Sequence, residues 1–232
     1  MTKRIQLIDA LRGLAVVLMV IHHFLYDLVE FLGAPGWLFS NPVFDFLHYI
    51  FAGLFILLSG VSSRFSRSNL KRGAKVLAIA LVITLVTWLM KMPIRFGVLH
   101  LLGFCMVFYG LTHKIWEELP APLMPVLCLL LLVGTALATA YWEPGVNFLW
   151  MFGWTYPGFY SADYFPIFPW LFVFLLGAWL GGPIRDGKFP RWFYTWSVPV
   201  FPAIGRKALW VYVLHQPVLY GITLLLAWLL KK

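Results

Sequence analysis

The feature that most constrains this chain is a series of seven apolar stretches, at residues 8–32, 43–61, 73–90, 97–115, 121–141, 165–182 and 208–230. Lipid offers no partner for backbone N–H and C=O groups, so a crossing segment must be helical and roughly 20 residues long. Each stretch reaches or approaches that length. The expected fold is therefore an all-α polytopic membrane protein, a single transmembrane domain over residues 1–232. Composition agrees, with 62% of residues hydrophobic and only 12% charged, against about half and a quarter in a soluble domain. Pro35, Pro42, Pro93, Pro120, Pro122 and Pro183 punctuate the connections, as helix breakers should. Lys3 and Arg4 would suit a signal-peptide start, but Asp9 and Arg12 interrupt it and no small-residue cleavage site follows. The first stretch is read as a retained helix. Cys105 and Cys128 both lie inside apolar runs and give neither a disulfide framework nor a zinc-ligand spacing.

The net charge of +9 would suggest nucleic acid in a soluble protein. Here the basic residues gather in short connections, and membrane topology explains them without a nucleic-acid partner. A cytoplasmic N-terminus puts Lys3, Arg4, Arg12, Arg64, Arg67, Lys71, Arg72, Lys75, Lys114, Arg185, Lys188, Arg191, Arg206 and Lys207 inside. Only Lys91, Arg95, Lys231 and Lys232 then fall outside, fourteen against four. That asymmetry sets the expected orientation. Two connections are unusual. The expected outer one, 142–170, has no basic residue and many aromatics; the inner one, 188–205, reads as an interfacial or re-entrant segment. The outer aromatics fit either a belt at headgroup level or a stacking platform for a sugar acceptor.

The first apolar stretch carries the chemistry. On a helix, positions eleven apart fall within about 20° of each other, so Arg12 and His23 share a face. Asp27 lies one turn beyond, Glu30 nearby, and Asp9 at the inner end of the same side. Ionisable groups at membrane depth cost about 2.5–3.5 kcal/mol each on insertion scales and normally face a bundle interior or a wet cavity. His23 and Asp27, at i and i+4, are close enough to touch. A carboxylate beside an imidazole fixes its tautomer, which suits a general base. His22 points about a quarter-turn away. The competing role for such groups is interhelical hydrogen bonding.

Other stretches add members: Asp45 and His48 in the second, Arg95 and His100 at the start of the fourth, and Tyr212, His215 and Gln216 in the seventh. His113 reads as an interfacial residue. No metal site is expected, since His22 and His23 diverge and no HExxH or cysteine pattern is present. The basic connection "SSRFSRSNLKRGAKV" suits either anionic lipid headgroups or a phosphate-rich ligand.

The segments "IDALRGLAVVLMVIHH", "GLFILLSG" and "ALWVYVLHQPVL" resemble the transmembrane acyltransferase superfamily. The resemblance is strongest to short bacterial relatives of the heparan-alpha-glucosaminide N-acetyltransferase catalytic domain, with motifs similar to acyltransferase-3 enzymes. It implies a multi-helix enzyme of the bacterial cytoplasmic membrane. Such an enzyme takes an acetyl group from cytoplasmic acetyl-CoA and delivers it to a sugar amine or hydroxyl, free or in a glycoconjugate, across the membrane. It also implies His23 as the catalytic histidine, and Arg64 and Arg72 beside the CoA phosphates. Lys75, Arg12 and His215 complete the expected co-substrate contacts.

In that chemistry His23 is the general base oriented by Asp27, with His22, His48 and Asp45 in support. His22, His48, His100 or His215 are candidate donors to the oxyanion. Direct transfer and an acetyl-histidine intermediate both stay open. Membrane lipids are the constant partner, and a small seven-helix unit is expected to form a homodimer. The alternative from the bare residues is a proton-coupled small-molecule transporter that uses the His/Asp stripe as a relay. A third reading is a structural or assembly membrane protein with a polar core.

Overall fold

In the computed structural model, residues 4–196 and 198–230 are described. Lys3, Lys231 and Lys232, counted above for orientation, lie outside them. Among the described residues seven helices are long and apolar enough to cross a membrane. They are α1 (Gln6–Leu32), α2 (Pro42–Ser63), α3 (Asn69–Leu89), α4 (Val98–Glu118), α5 (Leu123–Tyr141), α6 (Ile167–Arg185) and, after two short helices, α9 (Ala208–Leu229). The short ones are α7 (Arg191–Thr195) and α8 (Phe201–Arg206), both in the segment expected to be interfacial. The seven expected spans are thus all present. The largest displaced boundary is the start of α3, where the Ser68 side chain accepts from the Lys71 N–H and caps the helix four residues early.

The chain divides into two compact units, residues 1–58 with 189–232, and residues 59–188. In the first, α1 is the centre and α7, α8 and α9 pack along it. The contact between α1 and α8 is made by backbone. A Cβ on Gly205 would strike the carbonyl oxygen of Asp9, and one on Gly13 would strike that of Phe201. Small residues permit that approach where lipid supplies little drive for helices to associate.

In the second unit, α3 packs against α4, and α6 packs against both α4 and α5. Half of the central stretch of α4 and 56% of that of α6 are buried, against 11% for α3 and α5. The first two are the interior helices. Leu81, Val82, Leu85 and Leu89 of α3 and Val126, Leu130 and Val133 of α5 are exposed, as lipid-facing side chains are.

The 142–170 connection is ordered by its own aromatics and by the turn before α4. Phe159 packs against Trp150, Tyr156 and Tyr164, with the Arg95 guanidinium over its face at 5.4 Å. Arg95 also donates to the Tyr156 hydroxyl. Tyr164 donates to the Trp150 carbonyl at 2.5 Å; burial pushes its phenol up to about 12, so it stays a neutral donor. Asp163 reaches across to accept from the Val98 N–H at 3.0 Å, serving as a cap for α4 from 65 positions away. Asp163→Ala is expected to lower stability by about 1 kcal/mol, the ordinary worth of an N-cap. Thermal unfolding in detergent checks it.

Candidate functional site

Within the first unit, α1, α2 and α9 bring four of the chain's six histidines together. His48 lies 4.6 Å from His22 between ring centroids, His22 lies 6.0 Å from His23, and His23 lies 4.8 Å from His215. The helical geometry explains the order. His22 and His23 diverge by about 100°, so one reaches α2 and the other α9. His22 is also packed against Phe39, which meets Tyr26 one turn further along α1.

The tautomers follow from the backbone. The carbonyl of Met19 can only accept, so the contact of His23 Nδ1 with it at 2.9 Å makes Nδ1 the N–H donor. Nε2 of neutral His23 then carries the lone pair. His215 is held in the same way, Nδ1 to the Tyr212 carbonyl at 2.5 Å. Sequence spacing pointed to Asp27 as the group that orients His23. The hydrogen bond that sets the tautomer comes from the α1 backbone one turn back, a partner that every helical histidine has within reach, and Asp27 lies near enough to His23 to interact with it electrostatically. Asp27, wholly buried, accepts from Gln216 Nε2 at 2.9 Å.

Other expected members fall elsewhere. Arg12 does not extend the stripe to His23. It pairs at 3.1 Å with the buried carboxylate of Asp9, which Arg4 also binds. At 1.5 Å per residue, about 16 Å of helix separates Arg12 from His23. Glu30 is exposed, and Asp45 is exposed in the first turn of α2. Its side chain faces outward, one turn before His48. His100, a candidate oxyanion donor, is structural and belongs to the second unit. Its Nδ1 accepts from the Gly97 N–H at 3.2 Å, which leaves Nε2–H to donate to Thr84 Oγ1 at 3.0 Å.

The basic residues form a second group, at the α2–α3 junction of the second unit. Arg64 bonds the Tyr109 hydroxyl at 3.0 Å and pairs with Glu117, while Tyr109 donates to Glu117 at 2.9 Å. Burial opposes the charge on Arg64, but Tyr109 and Glu117 outweigh it and raise the guanidinium above its usual range. Gly181 makes the room, since a Cβ there would press on Arg64 Cγ. Arg72 donates to the Ser62 carbonyl at 3.3 Å, whereas Arg67, Lys71 and Lys75 are exposed. Arg64 Nε, Ser66 Oγ and Asn69 Oδ1 are buried without a partner. Arg64 Nε–H and the Ser66 hydroxyl are donors that a ligand's phosphate would satisfy, whereas Asn69 Oδ1 is an acceptor that it would not. Tyr109 and Glu117 carry no sequence signal, because they lie 45 and 53 positions from Arg64 on a helix that reads as plain apolar.

The sequence model of the family described as Heparan-alpha-glucosaminide N-acetyltransferase, catalytic, matches residues 4–217 of the 232. The chain belongs to that family. Every residue placed above, from Arg4 to Gln216, falls inside the match, including the histidine array and the basic junction. Membership makes the chain a transferase of the acetyltransferase class, and its seven apolar helices make it a multi-pass membrane protein. No curated protein and no solved structure matches the chain.

Proposed function

We propose that the chain is an acetyl-CoA-dependent membrane acetyltransferase acting on a sugar amine or hydroxyl, with His23 as general base. The observation that carries this is the state of His23. Its Nδ1–H is tied to Met19, so its basic Nε2 is free to serve beside three further imidazoles. The step balances as follows for an amine. Nε2 takes a proton from the acceptor as the C–N bond forms at the thioester carbonyl. The C–S bond breaks, and His23 returns the proton to the leaving sulfur.

Acetyl-CoA is the co-substrate. Arg64, Arg67, Lys71, Arg72 and Lys75 suit its phosphates, and the orphaned donors of Arg64 and Ser66 support that fit. The distribution of Lys and Arg supports a cytoplasmic N-terminus, which puts the basic junction on the side where acetyl-CoA is made. A bacterial cytoplasmic membrane and a homodimer complete this reading.

The test is transfer of radiolabel from acetyl-CoA to a panel of amino and neutral sugars by purified protein, with slow hydrolysis when no acceptor is present. Arg72→Ala is expected to raise the KM for acetyl-CoA roughly tenfold, the loss of one charge-assisted phosphate contact, with kcat little changed. Uptake of a solute into proteoliposomes on acidification, with no acetyl-CoA consumed, would instead establish the transporter.

A further inference from the structure

We propose that the turn between α2 and α3 reads a ribose 3′-phosphate together with the 2′-hydroxyl beside it, and that Asn69 selects the hydroxyl, which rests on acetyl-CoA being the co-substrate. A phosphate accounts for two of the three unpartnered atoms at this turn, the Arg64 Nε–H and the Ser66 hydroxyl. It leaves the third. The Ser63 carbonyl can only accept, so the amide nitrogen of Asn69 faces it at 3.0 Å. Asn69 Oδ1 therefore points away, and it is buried without a donor. An ionised phosphate has no hydrogen to give that oxygen. A ligand that satisfies all three atoms carries a hydrogen-bond donor next to its phosphate.

The packing gathers these atoms and keeps them open. The Ser63 carbonyl, at the end of α2, also accepts the Ser66 N–H at 3.4 Å, so Ser66 and Asn69 meet on one oxygen, and Arg64 is the next residue along. Tyr109 and Glu117 hold Arg64 by Nη1, which leaves its Nε side for a ligand. Gly182 keeps that side uncovered, since a Cβ there would lie 3.4 Å from Nη2 and 3.8 Å from Nε. Glu117 offsets the charge of Arg64, but Arg67, Lys71, Arg72 and Lys75 remain in surplus on the turn and the start of α3, so the site favours an anion. Phe65, Arg67 and Leu70 are exposed, and the turn is open to the surface. A ribose 3′-phosphate fits this set because its 2′ and 3′ carbons are bonded, which stands a hydroxyl donor beside the phosphate acceptors. Coenzyme A ends in that group. A 5′-phosphate has no hydroxyl on the adjacent ring carbon. No bond is made or broken at the turn; it anchors one end of the ligand.

The test uses the full chain in detergent at about pH 8, where phosphate monoesters are dianionic, with ligand titrations read by melting temperature. Adenosine 3′,5′-bisphosphate is expected to bind roughly tenfold or more tighter than 2′-deoxyadenosine 3′,5′-bisphosphate, which lacks only the hydroxyl. Coenzyme A should likewise bind tighter than dephospho-coenzyme A, which lacks the 3′-phosphate. In Asn69→Leu the preference for the ribose compound should disappear while the deoxy compound binds as before, whereas Ser66→Ala should weaken both alike. Equal affinities for the two bisphosphates in the wild-type protein, or an undiminished preference in Asn69→Leu, overturn the proposal. So does stabilisation by phosphatidylglycerol, whose headgroup also carries hydroxyls near a phosphate, with no response to either nucleotide. If Asn69→Leu does not fold, Asn69→Ala carries the same comparison. A ribose preference without acetyl transfer would leave the site standing and remove the acetyltransferase reading. Transfer from acetyl-CoA without that preference would do the reverse.

Discussion

His23→Ala is expected to lower acetyl transfer by about 10²–10⁴-fold, the usual worth of a positioned general base. The KM for acetyl-CoA should barely move, because the proposed phosphate contacts belong to Arg64 and its neighbours. His48→Ala should lose far less, since its ring meets His22 rather than the proposed base. Steady-state kinetics with radiolabelled acetyl-CoA, alongside CoA-induced thermal stabilisation to show that the variant is folded, decide it. A His23→Ala protein that binds CoA and turns over at the wild-type rate removes His23 from the chemistry. Incubation with labelled acetyl-CoA and no acceptor separates the two routes: label retained on wild-type protein and absent from His23→Ala marks an acetyl-histidine.

The second large effect is on the fold. Gly205→Ala adds a single methyl group, yet that carbon would overlap the Asp9 carbonyl oxygen and crowd the Gly13 backbone. Neither neighbour is a flexible side chain, so α8 must move off α1. The expected loss is about 3 kcal/mol, the upper part of the range for overpacking. Gly134→Ala in α5 is the control, because nothing lies within 4 Å of a Cβ there. It should be neutral or stabilising by up to about 1 kcal/mol, the helix-propensity gain over glycine. Equal melting temperatures for the two variants would mean that α1 and α8 do not meet through backbone.

The helices were legible because lipid leaves the backbone one option. Hydrophobic length alone marks α1 to α6 and α9, and the misplaced start of α3 traces to a local cap at Ser68. The site was legible residue by residue and misleading in its pairings. Helical spacing put Arg12, His23 and Asp27 on one face, and that geometry is sound. It says nothing about which neighbour each group chooses. Asp9 captures Arg12 within a single turn, Met19 holds His23 through the backbone, and Gln216 reaches Asp27 from 189 positions away. Similarly, His100 looked like a membrane-depth histidine available for chemistry until Gly97 and Thr84 were seen to hold both its nitrogens.

From its sequence alone, this chain is bound to be a seven-helix membrane protein with a histidine-rich first helix, because apolar length and charge placement act locally and need no partner. The tertiary structure alone decides that His48, His22, His23 and His215 form a connected array and that Arg64 is held by Tyr109 and Glu117. It also decides that Gly182 leaves the Nε side of Arg64 uncovered. Hydrogen bonds and ring contacts act over about 3–6 Å, and only the packing of helices distant in sequence brings those groups within that range.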